Sequence, residues 1–230
     1  NLLLPGRGSW FVLGSVVTDA PLPTRGRPLA DGCGSCTRCI DGCPTGAIVA
    51  PGVVDARRCL AWLLQVDGPF PRDHRVALGD RLYGCDDCQE VCPPNQRTDR
   101  GDPATGAAPG SQPVVDLLDM LAASDDELMA RYGRWYVPRR EPRYLRRNAL
   151  VVLANLGDPE ALPLVHDTAR DHAAPVVREA AAWAIRVLTA RPPPADDGRD
   201  RPSLDRVRGD AKRGSWHARG GQVARPSAYH

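Results

Sequence analysis

The order of its eight cysteines constrains this chain more than any other feature. Cys33, Cys36, Cys39 and Cys43 are spaced C-x2-C-x2-C-x3-C with Pro44 following, and Cys85, Cys88 and Cys92 repeat the ending before Pro93. Cys59 stands between the two runs and supplies the member the second one lacks. Thiolates two residues apart can wrap one iron–sulfur cube, because so tight a loop keeps their sulfurs near neighbouring irons. The cysteine before the proline follows three residues later, points away and ligates the other cluster. This rule assigns Cys33, Cys36, Cys39 and Cys92 to one [4Fe–4S] cluster and Cys43, Cys59, Cys85 and Cys88 to a second. Disulfides would need an oxidising compartment, and nothing here points to export. Two four-thiolate zinc sites fit the count, but zinc sites seldom use this run.

Small residues beside the ligands (Gly32, Gly34, Ser35, Thr45, Gly46, Gly84) suit backbone N–H groups approaching cluster sulfides. His74, His166, His172, His217 and His230 show no paired spacing and do not compete as ligands. No Gly-rich phosphate loop and no Ser/His/Asp pattern is present. With 230 residues and 42% hydrophobic content the chain is long enough for one large domain or two small ones. No run reaches the roughly 18 apolar residues of a membrane span, and the opening lacks the features of a signal peptide. A cytoplasmic monomer without membrane contact is therefore expected. The chain begins at Asn1 with no methionine, so a piece of something longer is expected too.

Five regions follow one another. Residues 1–25 open with an apolar run (Leu2 to Leu4, then Trp10 to Leu13, Val16 and Val17) that reads as a buried strand. Residues 26–97 hold every cysteine, with a helical stretch at Asp55 to Leu64. A break rich in proline and glycine begins at Pro93, and 98–113 read as a linker. Residues 114–190 are helical: Val114 to Ala123, Asp125 to Tyr132, Tyr144 to Leu156, Ala161 to Ala169 and Pro175 to Thr189. Gly157, Asp158 and Pro159 stop one helix, cap the next and open it, the pattern of a HEAT-like repeat. Fewer than two full repeats are present, so this block must share a core with the cysteine-bearing region. Residues 191–230 are poor in aliphatics and predict a disordered tail.

These residues resemble the epoxyqueuosine reductase family. The likeness runs through Cys-Gly-Ser-Cys-Thr-Arg-Cys-Ile-Asp-Gly-Cys-Pro-Thr-Gly-Ala-Ile from Cys33, Asp55-Ala56-Arg57-Arg58-Cys59, and Leu82-Tyr83-Gly84-Cys85 to Pro93. It continues in Gly8-Ser9-Trp10-Phe11-Val12-Leu13-Gly14 before the cysteines and Leu145-Arg146-Arg147-Asn148-Ala149 after them. The resemblance implies an α+β fold: a bacterial two-[4Fe–4S] ferredoxin-like module, preceded by a strand of a truncated α/β cobalamin-binding domain and followed by a HEAT-like helical block. It also implies a cobalamin enzyme that reduces epoxyqueuosine in the tRNA anticodon loop to queuosine, fed by an external low-potential donor such as ferredoxin or flavodoxin. The family's N-terminal half and its acidic proton donor are expected to be missing, so no catalytic acid is assigned. Leu2, Leu13, Val16, Ala61 and Asp86 are the residues expected at the cobalamin edge. A stand-alone two-cluster electron carrier is the alternative, although such a carrier needs no helical block.

Charge points to RNA. Arginine supplies 29 of the 30 basic residues, and a codon bias accounts for some of that. Arg131, Arg134, Arg139, Arg140, Arg143, Arg146 and Arg147 face a single acid, Glu141, in one short stretch, with Trp135 and Tyr136 interleaved. Guanidinium groups take phosphates in bidentate fashion, and aromatic faces stack bases. Arg139, Arg140, Arg143, Arg146 and Arg147, with Gln65 after the Cys59 helix, are the expected tRNA contacts. The five acids between Asp116 and Glu127 would repel RNA.

Overall fold

The computed structural model describes residues 2–4, 7–11, 13–21, 26, 30–99, 114–190 and 223–226. In chain order the first elements are α1 (Arg38–Asp41), β1 (Ile48–Ala50), β2 (Val53–Val54), α2 (Leu60–Leu63), α3 (Arg72–Leu78), β3 (Arg81–Tyr83), α4 (Asp87–Glu90) and α5 (Pro93–Asp99). There follow β4 (Val115–Asp116), α6 (Leu117–Ala122), α7 (Asp125–Tyr132), α8 (Arg143–Leu156), α9 (Leu162–Asp171), α10 (Pro175–Ala190) and β5 (Val223–Pro226). The chain forms two compact units, Asn1–Asp55 with Asp86–Gly106, and Ala56–Cys85 with Ala107–His230. These units do not coincide with the blocks expected from the sequence, because 56–85 shares its core with the helices.

In the first unit β1 and β2 make a short antiparallel hairpin, Ile48 opposite Val54. The single-turn helices α1 and α4 pack together, and α1 also meets β1. The expected opening strand does not form. Trp10, Phe11 and 13–19 have no regular structure, and Leu13, Val16 and Val17 are exposed; Val12 lies outside the described residues. A run of high strand propensity becomes a strand only beside a partner that takes its hydrogen bonds. The break expected from Pro93 is likewise displaced. Pro93–Asp99 is helical, since proline is tolerated in a first turn where its missing N–H would have no partner anyway. Residues 100–113 lie outside the described residues.

The second unit carries the larger core. Asp116 caps α6 by accepting from Leu118 and Asp119 N–H, and Ser124 with Glu127 forms a reciprocal capping box on α7. Helix α8 ends at Gly157, whose φ of 75° only glycine adopts without cost, and Asp158 then accepts from Glu160 N–H beside Pro159. Helix α10 packs against α8 and α9. The stretch expected as one helix from Asp55 to Leu64 is a 3-10 turn at Ala56–Arg58 and then α2, divided at Cys59, whose backbone is extended. Leu60, Leu63, Leu64, Phe70, Leu78 and Leu82 are buried in one cluster with Leu150, Leu153 and Ala180. Strands β3 and β4 flank β5. Of the tail expected to be disordered, 223–226 form that central strand, and the rest lies outside the described residues. Among the described residues no helix is long and apolar enough to cross a membrane.

His172 joins α9 to α10, and its Nδ1 accepts the Ala174 N–H at 3.1 Å. Its pKa is lowered by burial first and then by the nearby Arg146; Asp125 pulls the other way, Arg178 lowers it further, and the Ala174 contact raises it slightly. The unfolded chain therefore takes up this proton more readily than the folded one, so stability rises with pH through the range just below the ordinary imidazole value and is lost as pH falls. The melting temperature is expected to drop between pH 7.5 and pH 5.5. H172N, which keeps an acceptor for Ala174, should flatten that dependence, as thermal melts at the two pH values will read.

Candidate iron–sulfur site and arginine surface

None of the eight cysteines forms a disulfide. In the first unit, the Cys33 sulfur lies within electrostatic reach of Cys39, Cys92 and Cys36. Burial, then Asp31, then these three thiols push the Cys33 pKa up. Cys33, Cys36, Cys39 and Cys92 are thus near enough for the other three sulfurs to act on Cys33, and a cluster's irons would supply positive charge for them to share. They are also the four that the spacing rule assigned to one cluster. Among the described residues no group of three or more His, Cys, Asp or Glu is arranged to hold a single metal ion. Thiolates on one zinc lie about 3.8 Å apart, given Zn–S bonds of about 2.3 Å, whereas those at the corners of a cube are held further apart by the irons between them.

Cys43 shows the complementary feature. Burial raises its pKa, but N–H groups of Thr45, Ile48 and Ala47 and the Thr45 hydroxyl outweigh it and bring the thiol below its ordinary range. The Ala47 N–H donates to Cys43 Sγ at 3.1 Å. The turn closed by Gly46 N–H on Cys43 O, at 3.0 Å, aims those amides. Such N–H···S bonds stabilise a thiolate ligand. Of the other cysteines expected as ligands, Cys88 lies just after Asp86 in the first unit, whereas Cys59 and Cys85 belong to the second, where Cys85 packs on the core.

Close approach explains two glycines. A side chain at Gly42 would lie 3.0 Å from Arg38 O and 3.2 Å from Val91, a tight fit where the end of α1, which carries Cys39, faces the end of α4, which carries Cys88. At Gly8, with φ of 79°, a Cβ would fall on Asn95 Oδ1. That contact belongs to a network the sequence did not announce. Ser9 N–H donates to Asn95 Oδ1 at 2.7 Å, Asn95 Nδ2 donates to Ser9 Oγ at 2.8 Å and Gln89 O at 2.9 Å, and Ser9 Oγ donates to Gln89 Oε1 at 3.1 Å. Gln89 Nε2 in turn donates to Asp86 Oδ1 at 2.9 Å. Asn95 is fully buried. The Gly-Ser-Trp segment is thus bolted to the Cys88–Cys92 loop. The expected cobalamin-edge residues Leu2, Leu13 and Val16 have exposed side chains, Asp86 is half-buried in this network, and Ala61 is half-buried in the second unit.

The arginines separate into two groups. Arg147 is fully buried, a correction to its expected role in RNA binding. Its guanidinium donates to the carbonyls of Val66 (2.8 Å), Gly68 (2.6 Å), Leu63 and Leu64 (both 3.2 Å) and to Asn148 Oδ1. Burial pushes its pKa down to about 10. Arg146 is corrected likewise: it is buried, paired with Asp125, and donates to Ala123 O at 2.6 Å. Trp135 is 5% exposed and stacked on Tyr83 at 4.7 Å, so it offers no free face. The exposed group keeps Tyr136, Arg139 and Arg140, with Arg143 and Gln65 half-buried. Arg139 pairs with Asp67 at 2.8 Å and Arg143 with Glu141 at 2.6 Å. Arg139 and Arg140 both hold left-handed backbones (φ 52° and 56°), costing roughly 1–2 kcal/mol each.

G8A should disrupt the Ser9–Asn95 network and destabilise the first unit by about 2 kcal/mol or more, a strained left-handed alanine meeting a buried acceptor. N95D, which replaces the donor that Ser9 and Gln89 share, should show a similar loss. Chemical denaturation of the two variants beside wild type will measure both.

Residues 32–95 match the family described as 4Fe-4S double cluster binding domain, and residues 137–197 match HEAT repeats. An epoxyqueuosine reductase of Bacillus anthracis is 38% identical over 187 residues, 80% of this chain and 48% of its own length. An uncharacterized protein in the gldA 3′ region of Geobacillus stearothermophilus is 38% identical over 189 residues, covering 77% of this chain and 82% of its own. A crystal structure of epoxyqueuosine reductase with an epoxyqueuosine-modified tRNA-Tyr stem loop matches at a TM-score of 0.60 and 38% identity, over 70% of this chain and 43% of that one. The chain spans about half the length of the curated epoxyqueuosine reductases it matches. The similarity runs through the cysteine loops and the helical block alike, and on that basis the chain belongs to the epoxyqueuosine reductase family.

Proposed function

We propose that this chain is the electron-delivering and tRNA-binding portion of an epoxyqueuosine reductase, which reduces epoxyqueuosine in tRNA to queuosine. The observation that carries the reading is the extent of the likeness, four-fifths of the chain at 38% identity, through both the cysteine loops and the HEAT-like helices. A simple electron carrier has no use for the second of these.

In this reading Cys33, Cys36, Cys39 and Cys92 hold one [4Fe–4S] cluster and Cys43, Cys59, Cys85 and Cys88 the other. The convergence of the first four thiols and the N–H groups aimed at Cys43 support it. A low-potential donor of the ferredoxin or flavodoxin class supplies the electrons. Cobalamin, when bound, supplies the reductive chemistry at the substrate. The apolar side chains of Leu2, Leu13 and Val16 remain exposed for such a cofactor to cover, and Ala61 and Asp86 flank cluster ligands in sequence. Asp86 is oriented by Gln89 and thereby by the Ser9–Asn95 network. Arg139, Arg140 and Arg143, with Gln65, are the residues proposed to meet RNA phosphates; Arg146 and Arg147 leave that set because their guanidiniums are buried.

Anaerobic reconstitution should give about eight irons and eight sulfides per chain, counted chemically, if both ligand sets are filled. A corrinoid spectral shift on titration with cobalamin would support the cofactor proposal, and eight irons with no shift would count against it for this chain. For RNA, R139Q/R140Q/R143Q should weaken binding of a tRNA anticodon stem loop and flatten its salt dependence by roughly 0.7 per lost phosphate contact to single-stranded RNA. An unchanged slope would remove these arginines from the interface.

A further inference from the structure

We infer that helix α8 sets the separation of Cys59 and Cys85 through Asn148 and Arg147, and so tunes one iron–sulfur cluster from outside its ligand shell; this rests on the two-cluster reading above. Cys59 and Cys85 stand at the two ends of an excursion that begins with α2 and returns along β3. The side chain of Asn148 bridges its two arms. Its Nδ2 donates to Leu64 O at 3.0 Å and to Leu82 O at 3.4 Å. Leu64 lies five residues beyond Cys59, and Leu82 three before Cys85.

Arg147 stiffens the first arm. The carbonyls of Leu63 and Leu64 end α2 without partners inside that helix, and Arg147 Nη2 donates to both. Leu63 N–H in turn donates to Cys59 O at 2.9 Å, so only one backbone hydrogen bond separates the guanidinium-bound turn from the ligand residue. Arg147 Nε and Nη2 also donate to Asn148 Oδ1, which fixes the amide with its Nδ2 toward Leu64 and Leu82. The second arm is held independently. Tyr83, two residues before Cys85, accepts Tyr136 N–H on its hydroxyl at 2.7 Å and stacks on Trp135. Two consecutive residues of a HEAT-like helix are therefore spent, fully buried, on the loop that carries two ligands. Burying a guanidinium and an amide costs free energy that leucine and alanine at the same places would not. A helix whose only task was to pack needs neither. Cluster potentials respond to ligand placement, nearby charge and hydrogen bonding, and both residues act on the first of these for Cys59 and Cys85. Asn148 and Arg147 are positioning residues: each acts on the cluster through a ligand-bearing segment.

The experiment uses the full 230-residue chain, reconstituted anaerobically, with iron counted and both cluster potentials followed by EPR-monitored titration. N148D keeps the acceptor for Arg147 but removes the donor to Leu64 and Leu82. R147K keeps the charge but cannot reach all the carbonyls. V151A, a core cut on the same helix, is the control for lost packing, and C59A the reference for a lost ligand. With wild-type circular dichroism, N148D and R147K should shift or abolish one of the two potentials and lower iron by up to twofold, leaving the other potential in place. V151A should leave both potentials alone. Where N148D does not fold, R147K decides. The inference is overturned if N148D and R147K titrate like wild type, or if V151A moves the same potential. Should C59A retain all its iron, the ligand assignment fails and takes this inference with it. A C59A chain with half the iron beside wild-type behaviour of N148D and R147K removes the inference alone.

Discussion

The Arg147 guanidinium, buried beneath four carbonyls rather than beside a carboxylate, is the contact on which the second unit depends. Bringing a charge into that position costs several kcal/mol in desolvation, and its lowered pKa reports the strain on the charged form. The cost is offset because the guanidinium supplies donors to four carbonyls in a bend between α2 and Gly68, those of Leu63 and Leu64 buried and those of Val66 and Gly68 half-buried. Neither side can leave without stranding the other. The bend therefore cannot separate from α8, and the leucines of α2 and β3 are carried into the core formed with Leu150 and Leu153. Arg75 repeats the device nearby, donating twice to Phe70 O and pairing with Glu179 at 2.6 Å while it lies over Trp183.

How much of this was legible follows from where each signal is stored. Cluster ligation is written in adjacent residues, since the cube is smaller than the loop around it, and the Cys33 to Cys43 spacing could be read directly. The turn at Gly157 to Pro159 is also local, each residue meeting a backbone requirement within three positions. Arg147 was misread because a guanidinium is ordinarily a surface group. The pattern that contradicts that reading was present: Arg147 stands four residues before Val151 and Asn148 four before Val152, on the helix face those valines bury. Arg146 likewise stands four residues before buried Leu150, whereas Trp135 was not legible in that way, for Tyr83 is distant in sequence. The opening run around Trp10 shows the opposite error, a local preference read as structure although strand formation needs a non-local partner.

Ser9, Gln89 and Asn95 extend the same argument to the first unit. No motif marks them, yet Ser9 is held to Gln89 and Asn95 by three hydrogen bonds, one from its backbone N–H, and a fourth joins Asn95 to Gln89 O. Such a network is stable only when each member is satisfied, and so it fixes geometry more strictly than apolar packing does. Buried polar residues in both units serve the backbone around cysteines. Arg147 and Asn148 act on the excursion bearing Cys59 and Cys85, and Asn95 acts on the loop bearing Cys88 and Cys92.

The charged surface must be weighed with its counter-ions. Arg131, Arg139, Arg143 and Arg146 each face an acid of this chain, namely Asp119, Asp67, Glu141 and Asp125. Counting arginines therefore overstates the positive field an approaching polyanion meets. Exposed pairs such as Arg139 with Asp67 contribute only about 0–1 kcal/mol, so a phosphate can replace the carboxylate at little cost. Buried Arg146 cannot make that exchange, since its guanidinium also satisfies Ala123 O. The acids of α6 and α7 do not simply repel RNA, as their density in the sequence suggested. Asp119 and Asp125 are committed to arginines, and Asp116 and Glu127 to the helix caps. What an anion can use on this surface is set less by net charge than by which ion pairs are exposed enough to open.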